Sequence, residues 1–137
     1  MLRVNTTSFT EFALIKLAID FLDNGGGIGE EACDYCQGER SPRSSDNPEK
    51  AIISLKNDRE TPYKAYIAVQ NELVAAYNEL RNREFMKLYP SEGITYFEAD
   101  FIYNDPRTTG DQKEYLREKL SVVKKLYPQK LSEAEPS

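Results

Sequence analysis

An α+β fold in a single domain is predicted by three observations. The chain has 137 residues, the length of one domain with no room for two full cores. Three stretches repeat apolar residues at helical spacing, and each is bounded by caps, glycine or proline. Around them lie only short strand patterns. The clearest is Ala51-Ile52-Ile53-Ser54-Leu55, β-branched and bounded by Pro48 and by Asn57-Asp58.

In chain order, Leu2 to Asn5 predicts a short strand that reads as the middle of one, as if the sequence were cut from a longer protein. Ser8 with Glu11 forms a capping box that opens a helix over 9–23, closed by Asn24-Gly25. Lys16, Asp20 and Asp23 are its only polar stripe. A helix on one sheet face needs one apolar face only. The surplus, which includes Leu14, Leu17 and Phe21, predicts either deep burial or a contact with a second chain.

Residues 24–50 form a long irregular excursion with Gly25-Gly26-Gly27-Ile28-Gly29, Cys33 and Cys36. Loops this long inside a compact domain are unusual, and an exposed, partly mobile segment is expected. The strand at 51–56 follows. Thr61 caps and Pro62 opens the longest helix, over 62–88, which must stop before Pro90. Ile52, Ile53, Leu55, Ile67, Val74, Tyr77 and Leu80 are the expected core. Residues 91–109 form an insertion with two readings. Ile94-Thr95-Tyr96-Phe97 suits a strand, whereas Thr95 with Glu98 suits the cap of a short helix. Asp111 with Glu114 predicts the start of a last helix over 112–126, and Lys130 to Glu133 a charged edge strand.

Composition excludes much chemistry. With 18 Lys+Arg against 23 Asp+Glu the net charge is -5, so strong attraction to nucleic acid or an anionic membrane surface is not expected. Histidine is absent, which removes Ser-His-Asp and Cys-His catalysis, HExxH zinc sites and histidine pH switches. No stretch approaches the roughly 20 apolar residues that span a bilayer, and no signal peptide is visible, so the chain itself is expected to be soluble.

Cys33-Asp34-Tyr35-Cys36 admits three chemistries: a small local disulfide, two ligands of a metal shared between chains, or thiol exchange. Zinc lacks two ligands within one chain, and Glu30, Glu31 and Asp34 raise rather than lower a thiol pKa. The disulfide, or inert thiols, is the favoured reading. The glycine run follows a helix instead of a strand and leads into Glu30-Glu31, so it predicts a helix stop and flexible linker, not a phosphate loop. Nine tyrosines without tryptophan could form a base-stacking platform, but Tyr63, Tyr66 and Tyr77 share one helical stripe, which favours packing. No catalytic residue, cofactor or metal is expected.

The segment Ala51-Ile52-Ile53-Ser54-Leu55-Lys56-Asn57-Asp58-Arg59-Glu60-Thr61-Pro62-Tyr63 resembles the periplasmic domain of the ExbD/TolR biopolymer-transport family, in its Bacteroidetes-type form. The pattern is an apolar strand, a basic residue (Lys56), an Asp with a basic follower (Asp58, Arg59) and a Pro/Tyr helix start. Asn71-Glu72-Leu73, Asn78-Glu79-Leu80 and the ending Tyr127-Pro128-Gln129-Lys130-Leu131-Ser132-Glu133-Ala134-Glu135-Pro136 are similar to the same group. The resemblance covers 51–83 and 124–136 and extends loosely to 9–23. The long excursion at 24–50 and the insertion at 91–109 depart from the short family form.

The resemblance implies a small mixed sheet with helices packed on one face. It implies a periplasmic domain of an inner-membrane-anchored protein whose anchor, with its proton-linked Asp, lies upstream of this sequence. The implied function is proton-motive-force-driven energy transduction for TonB/Tol-type transport, by protein–protein interaction without enzymatic chemistry. The implied partners are an ExbB/TolQ-like membrane protein and a TonB/TolA-like protein, with Asp58 and Arg59 at the partner-contacting edge. The Asp58 carboxylate also suits a plain turn role, accepting backbone N–H bonds. A weak homodimer through Leu14, Leu17 and Phe21 is implied because the family's periplasmic domains pair, and a periplasmic setting favours a Cys33–Cys36 disulfide. The alternatives are a periplasmic thiol-disulfide oxidoreductase using Cys33 and Cys36, and a free-standing adaptor.

Overall fold

Nine described elements alternate short strands with helices in the computed structural model, which describes residues 1–5, 11–57, 60 and 62–134. They are β1 (Leu2–Asn5), α1 (Glu11–Leu22), a 3-10 turn (Gly29–Glu31), β2 (Ile53–Lys56), α2 (Tyr63–Leu88), a second 3-10 turn (Pro90–Glu92), α3 (Tyr96–Asn104), α4 (Gly110–Leu126) and β3 (Leu131–Ala134). The fold is α+β. The expected caps at Ser8 and Thr61 lie outside the described residues.

The chain, expected as a single domain with an excursion and an insertion, divides into two compact units: Met1–Tyr77 with Gln129–Ser137, and Asn78–Pro128. The first unit holds the sheet, in the order β1-β2-β3. Leu2 pairs with Ile53 and Val4 with Leu55; Ile53 pairs with Leu131 and Leu55 with Glu133. Both pairings are parallel, which corrects the expected mixed sheet. Each pair of consecutive strands is separated by helix, and a helical crossover returns the chain to the same end of the sheet, whereas antiparallel neighbours need only a hairpin.

Strand periodicity then sorts the side chains. Val4, Ile53 and Leu55 point inward and are buried, while Arg3, Lys56 and Ser132 on the other face are exposed. Ile52, expected in the core beside Ile53, is only half-buried, because neighbours on a strand face opposite ways. The inward set is completed from α1 by Leu14, Ala18, Phe21 and Leu22, and from α2 by Leu73, Ala76 and Tyr77. Ile67 and Val74 of α2, expected in the core, are half-buried, whereas Tyr77 and Leu80 are buried as expected. The Tyr77 hydroxyl accepts a bond from the Lys130 backbone N–H at 3.1 Å, satisfying a buried phenol and fixing the entry to β3.

The second unit is helical. Phe85 from the end of α2, Tyr96 and Ala99 from α3, and Leu116, Leu120 and Val123 from α4 form its core. Of the two readings of 91–109, the helix holds. The Thr95 hydroxyl accepts from the Glu98 N–H at 3.1 Å, and the Glu98 carboxylate accepts from the Thr95 N–H at 3.3 Å, a complete capping box. At α4 the cap is Thr109, whose hydroxyl accepts from the Gln112 N–H at 3.3 Å. Asp111, expected as the cap, sits in the first turn instead, where its charge suits the helix dipole.

Candidate functional site: a disulfide-stapled loop after the first helix

Residues 24–50, expected as a partly mobile excursion, are tied down along their length. Asn24, buried at the end of α1, uses its whole carboxamide on the far side of the loop. Its Nδ2 donates to the carbonyls of Ser41 at 2.9 Å and Ser45 at 2.7 Å, and its Oδ1 accepts from the Ser41 N–H at 3.0 Å. The Ser45 hydroxyl donates to the carbonyl of Phe21, in the last turn of α1, where that carbonyl otherwise takes only a long 3.4 Å bond from the Asn24 N–H. Backbone bonds continue the seam: Gly26 to Ser45 and Gly27 to Asp46, each 3.0 Å, Gly38 to Asp23 and Arg40 to Asn24, each 2.9 Å.

The glycines serve this seam, not a flexible linker. A Cβ on Gly26 would stand 2.2 Å from the Ser41 carbonyl oxygen, so only glycine lets the two backbones close.

Cys33 and Cys36 are joined by a disulfide and are 2% and 3% exposed. Arg40, in the left-handed region with φ 57°, lays its guanidinium across the staple. It donates to the carbonyl of Cys33 at 2.8 Å and of Cys36 at 2.7 Å, and to that of Gly25 at 3.3 Å. One planar fork thus gathers three carbonyls that would otherwise stand unpaired in a turn. Glu31 is held by Lys50 at 3.0 Å and by Asn47 at 3.2 Å. The hydrogen bond from the Lys50 ammonium holds the Glu31 carboxyl below its ordinary range, and the same bond from Glu31 raises Lys50 above its own.

Between this loop, α1 and β1 lies a cavity of about 540 Å³, lined by Leu2, Leu17, Asp20, Phe21, Gln37 and Glu39 among others. The proposed dimer face is largely used up inside the first unit. Leu14 is 1% exposed and Phe21 9%, and Leu17 alone of the three stays half-buried; Leu17 and Phe21 both stand on the cavity wall. Burial in the chain's own core answers the surplus of apolar residues that the helical pattern presents. Asp58 and Arg59, the expected partner-contacting pair, lie outside the described residues. The described residues contain no group of three or more Cys, Asp or Glu side chains placed to hold a metal ion, and no helix among them is long and apolar enough to cross a membrane.

The second unit carries a buried polar cluster that sequence reasoning missed. Arg81 Nε donates to the Tyr127 carbonyl at 3.1 Å, capping the end of α4. Arg83 donates to the Tyr127 hydroxyl at 2.9 Å and pairs with Glu84 at 3.0 Å. Glu84 is 2% exposed. Charged residues at these positions of a surface-facing pattern read as solvated. The available signal was their spacing from Leu73, Tyr77 and Leu80, which keeps Arg81 and Glu84 on the buried side of α2.

No family model, curated protein or solved structure matches the chain.

Proposed function

We propose that this chain is an interaction domain of the ExbD/TolR type: the periplasmic part of an envelope complex that passes proton-motive energy from an ExbB/TolQ-like membrane protein to a TonB/TolA-like protein. It acts by binding and carries no covalent chemistry. One observation supports the reading above the rest. The two separate segments that carry the resemblance, 51–83 and 124–136, supply β2 and β3, which lie side by side in register from Ile53↔Leu131 to Lys56↔Ala134. Distant segments that share a family pattern are expected to meet in the fold if the pattern describes one structural unit. Asp58 and Arg59 come soon after the central strand in the sequence, and the resemblance puts them at the partner-contacting edge. Thiol exchange is not advanced as a second reading, because both cysteines are bonded and buried, and a catalytic thiol needs access to its substrate.

The test is genetic. Deletion of the whole gene is expected to abolish energy-dependent uptake across the outer membrane, and Asp58→Asn in the full-length protein to reduce it strongly at unchanged protein level. Full uptake after deletion overturns the reading; full uptake with Asp58→Asn alone overturns only the role of Asp58.

A further inference from the structure

The tip of the disulfide-stapled loop carries the most exposed large apolar side chain among the described residues. Ile28 is 85% exposed. Lone exposed apolar residues are ordinary on protein surfaces, but this one stands on a closed base. A Cβ on Gly27 would lie 2.2 Å from the Glu31 carbonyl oxygen, so residues 27 and 31 touch backbone to backbone and thrust the residues between them outward. On one side Gly26 and Gly27 donate to Ser45 and Asp46 at 3.0 Å. On the other, the Glu31 N–H donates to the Ile28 carbonyl at 3.1 Å, and Asn47 and Lys50 hold the Glu31 carboxylate at 3.2 and 3.0 Å. Ile28 is therefore presented in a preset position, with little ordering left to do on contact.

Its surroundings define what it fits. Glu30, within the same closed turn, is exposed, and the Glu31 charge is balanced by Lys50, so the tip sets an exposed carboxylate beside an aliphatic knob. We propose that this tip is a docking knob for a partner protein that offers an apolar pocket rimmed by lysine or arginine, Ile28 filling the pocket and Glu30 meeting the rim. The inference rests on the interaction reading above and deepens it by naming the contacting element.

The test uses the full chain and the purified TonB/TolA-like protein of the same cells as probe, with affinity measured by titration calorimetry at two salt concentrations. Ile28→Ser is expected to weaken binding by about tenfold to a hundredfold, from the apolar area lost to the pocket. Glu30→Lys is expected to weaken it further and to flatten its salt dependence. Neither change is expected to move the melting temperature, since both side chains are exposed. Binding by Ile28→Ser equal to that of the unaltered chain overturns the knob while leaving the interaction reading in place. No binding by the unaltered chain overturns both.

Discussion

Asn24 places both donors and the acceptor of its carboxamide on the backbone of residues 41 and 45. Truncation leaves the part-buried Ser41 N–H without its acceptor and takes one of two donors from the carbonyls of Ser41 and Ser45, which keep the N–H groups of Ser44 and Gly26, so Asn24→Ala is expected to cost about 1–3 kcal/mol, read as a lower urea midpoint; an unchanged midpoint would mean that water replaces the carboxamide. Glu31 offers a pH test at the same scale. Its folded pKa is depressed by Lys50, so its contribution is present above the ordinary glutamate range and is lost as the pH falls through the lower folded value. Faster amide exchange around residues 27–31 is therefore expected below about pH 4, with no matching change in α4. Tyr96 behaves oppositely. Burial raises its phenol pKa, so its contribution is present below about pH 10 and fades as the pH rises through the folded value.

Among the elements, α3 depends on its cap. It is short, nine residues, and short helices are marginal without help from caps and packing. Thr95→Ala removes the hydroxyl half of the capping box and is expected to destabilise the second unit by about 1 kcal/mol, measured by thermal melting; Thr95→Ser should restore most of it. The 24–50 loop depends on its staple. With the disulfide reduced by a dithiol, Arg40 no longer finds the carbonyls of Cys33 and Cys36 at a fixed separation. The amides of Gly38 and Arg40, which donate to Asp23 and Asn24, are expected to lose protection by about 2 kcal/mol, while the amides of α4 keep theirs. Equal loss in α4 would show that the staple supports more than its own loop.

For the whole molecule, the central strand and the assembly state are the points to test. Leu55 is 2% exposed on the inward face of β2, and Leu55→Ala is expected to cost about 2–5 kcal/mol by denaturant titration. Self-association, which the resemblance implies, cannot use Leu14 or Phe21 without opening the core they fill. A contact through α1 would then turn on Leu17. Light scattering at high concentration is expected to show weak association that Leu17→Ser abolishes; association unchanged in that variant places the contact on another surface.

The positions of the main elements were legible in the sequence because local signals set them. Pro62, Pro90 and Pro128 bound the helices, β-branched residues mark β2, and Thr95 with Glu98 encodes a cap that needs no distant partner. Cys33 and Cys36 were legible as a pair, though burial and the Arg40 clasp were not. The parallel sheet, the inward choice of Ile53 over Ile52, the burial of Leu14 and Phe21, the Asn24 seam and the charged cluster at Arg81 and Glu84 were decided by tertiary structure alone. Each depends on which segment lies across from which, as Ser41 does from Asn24 and Tyr127 from Arg81. A local pattern carries the period of an element and the strength of its ends; it does not carry the identity of the neighbour that satisfies a buried polar group or covers an apolar face.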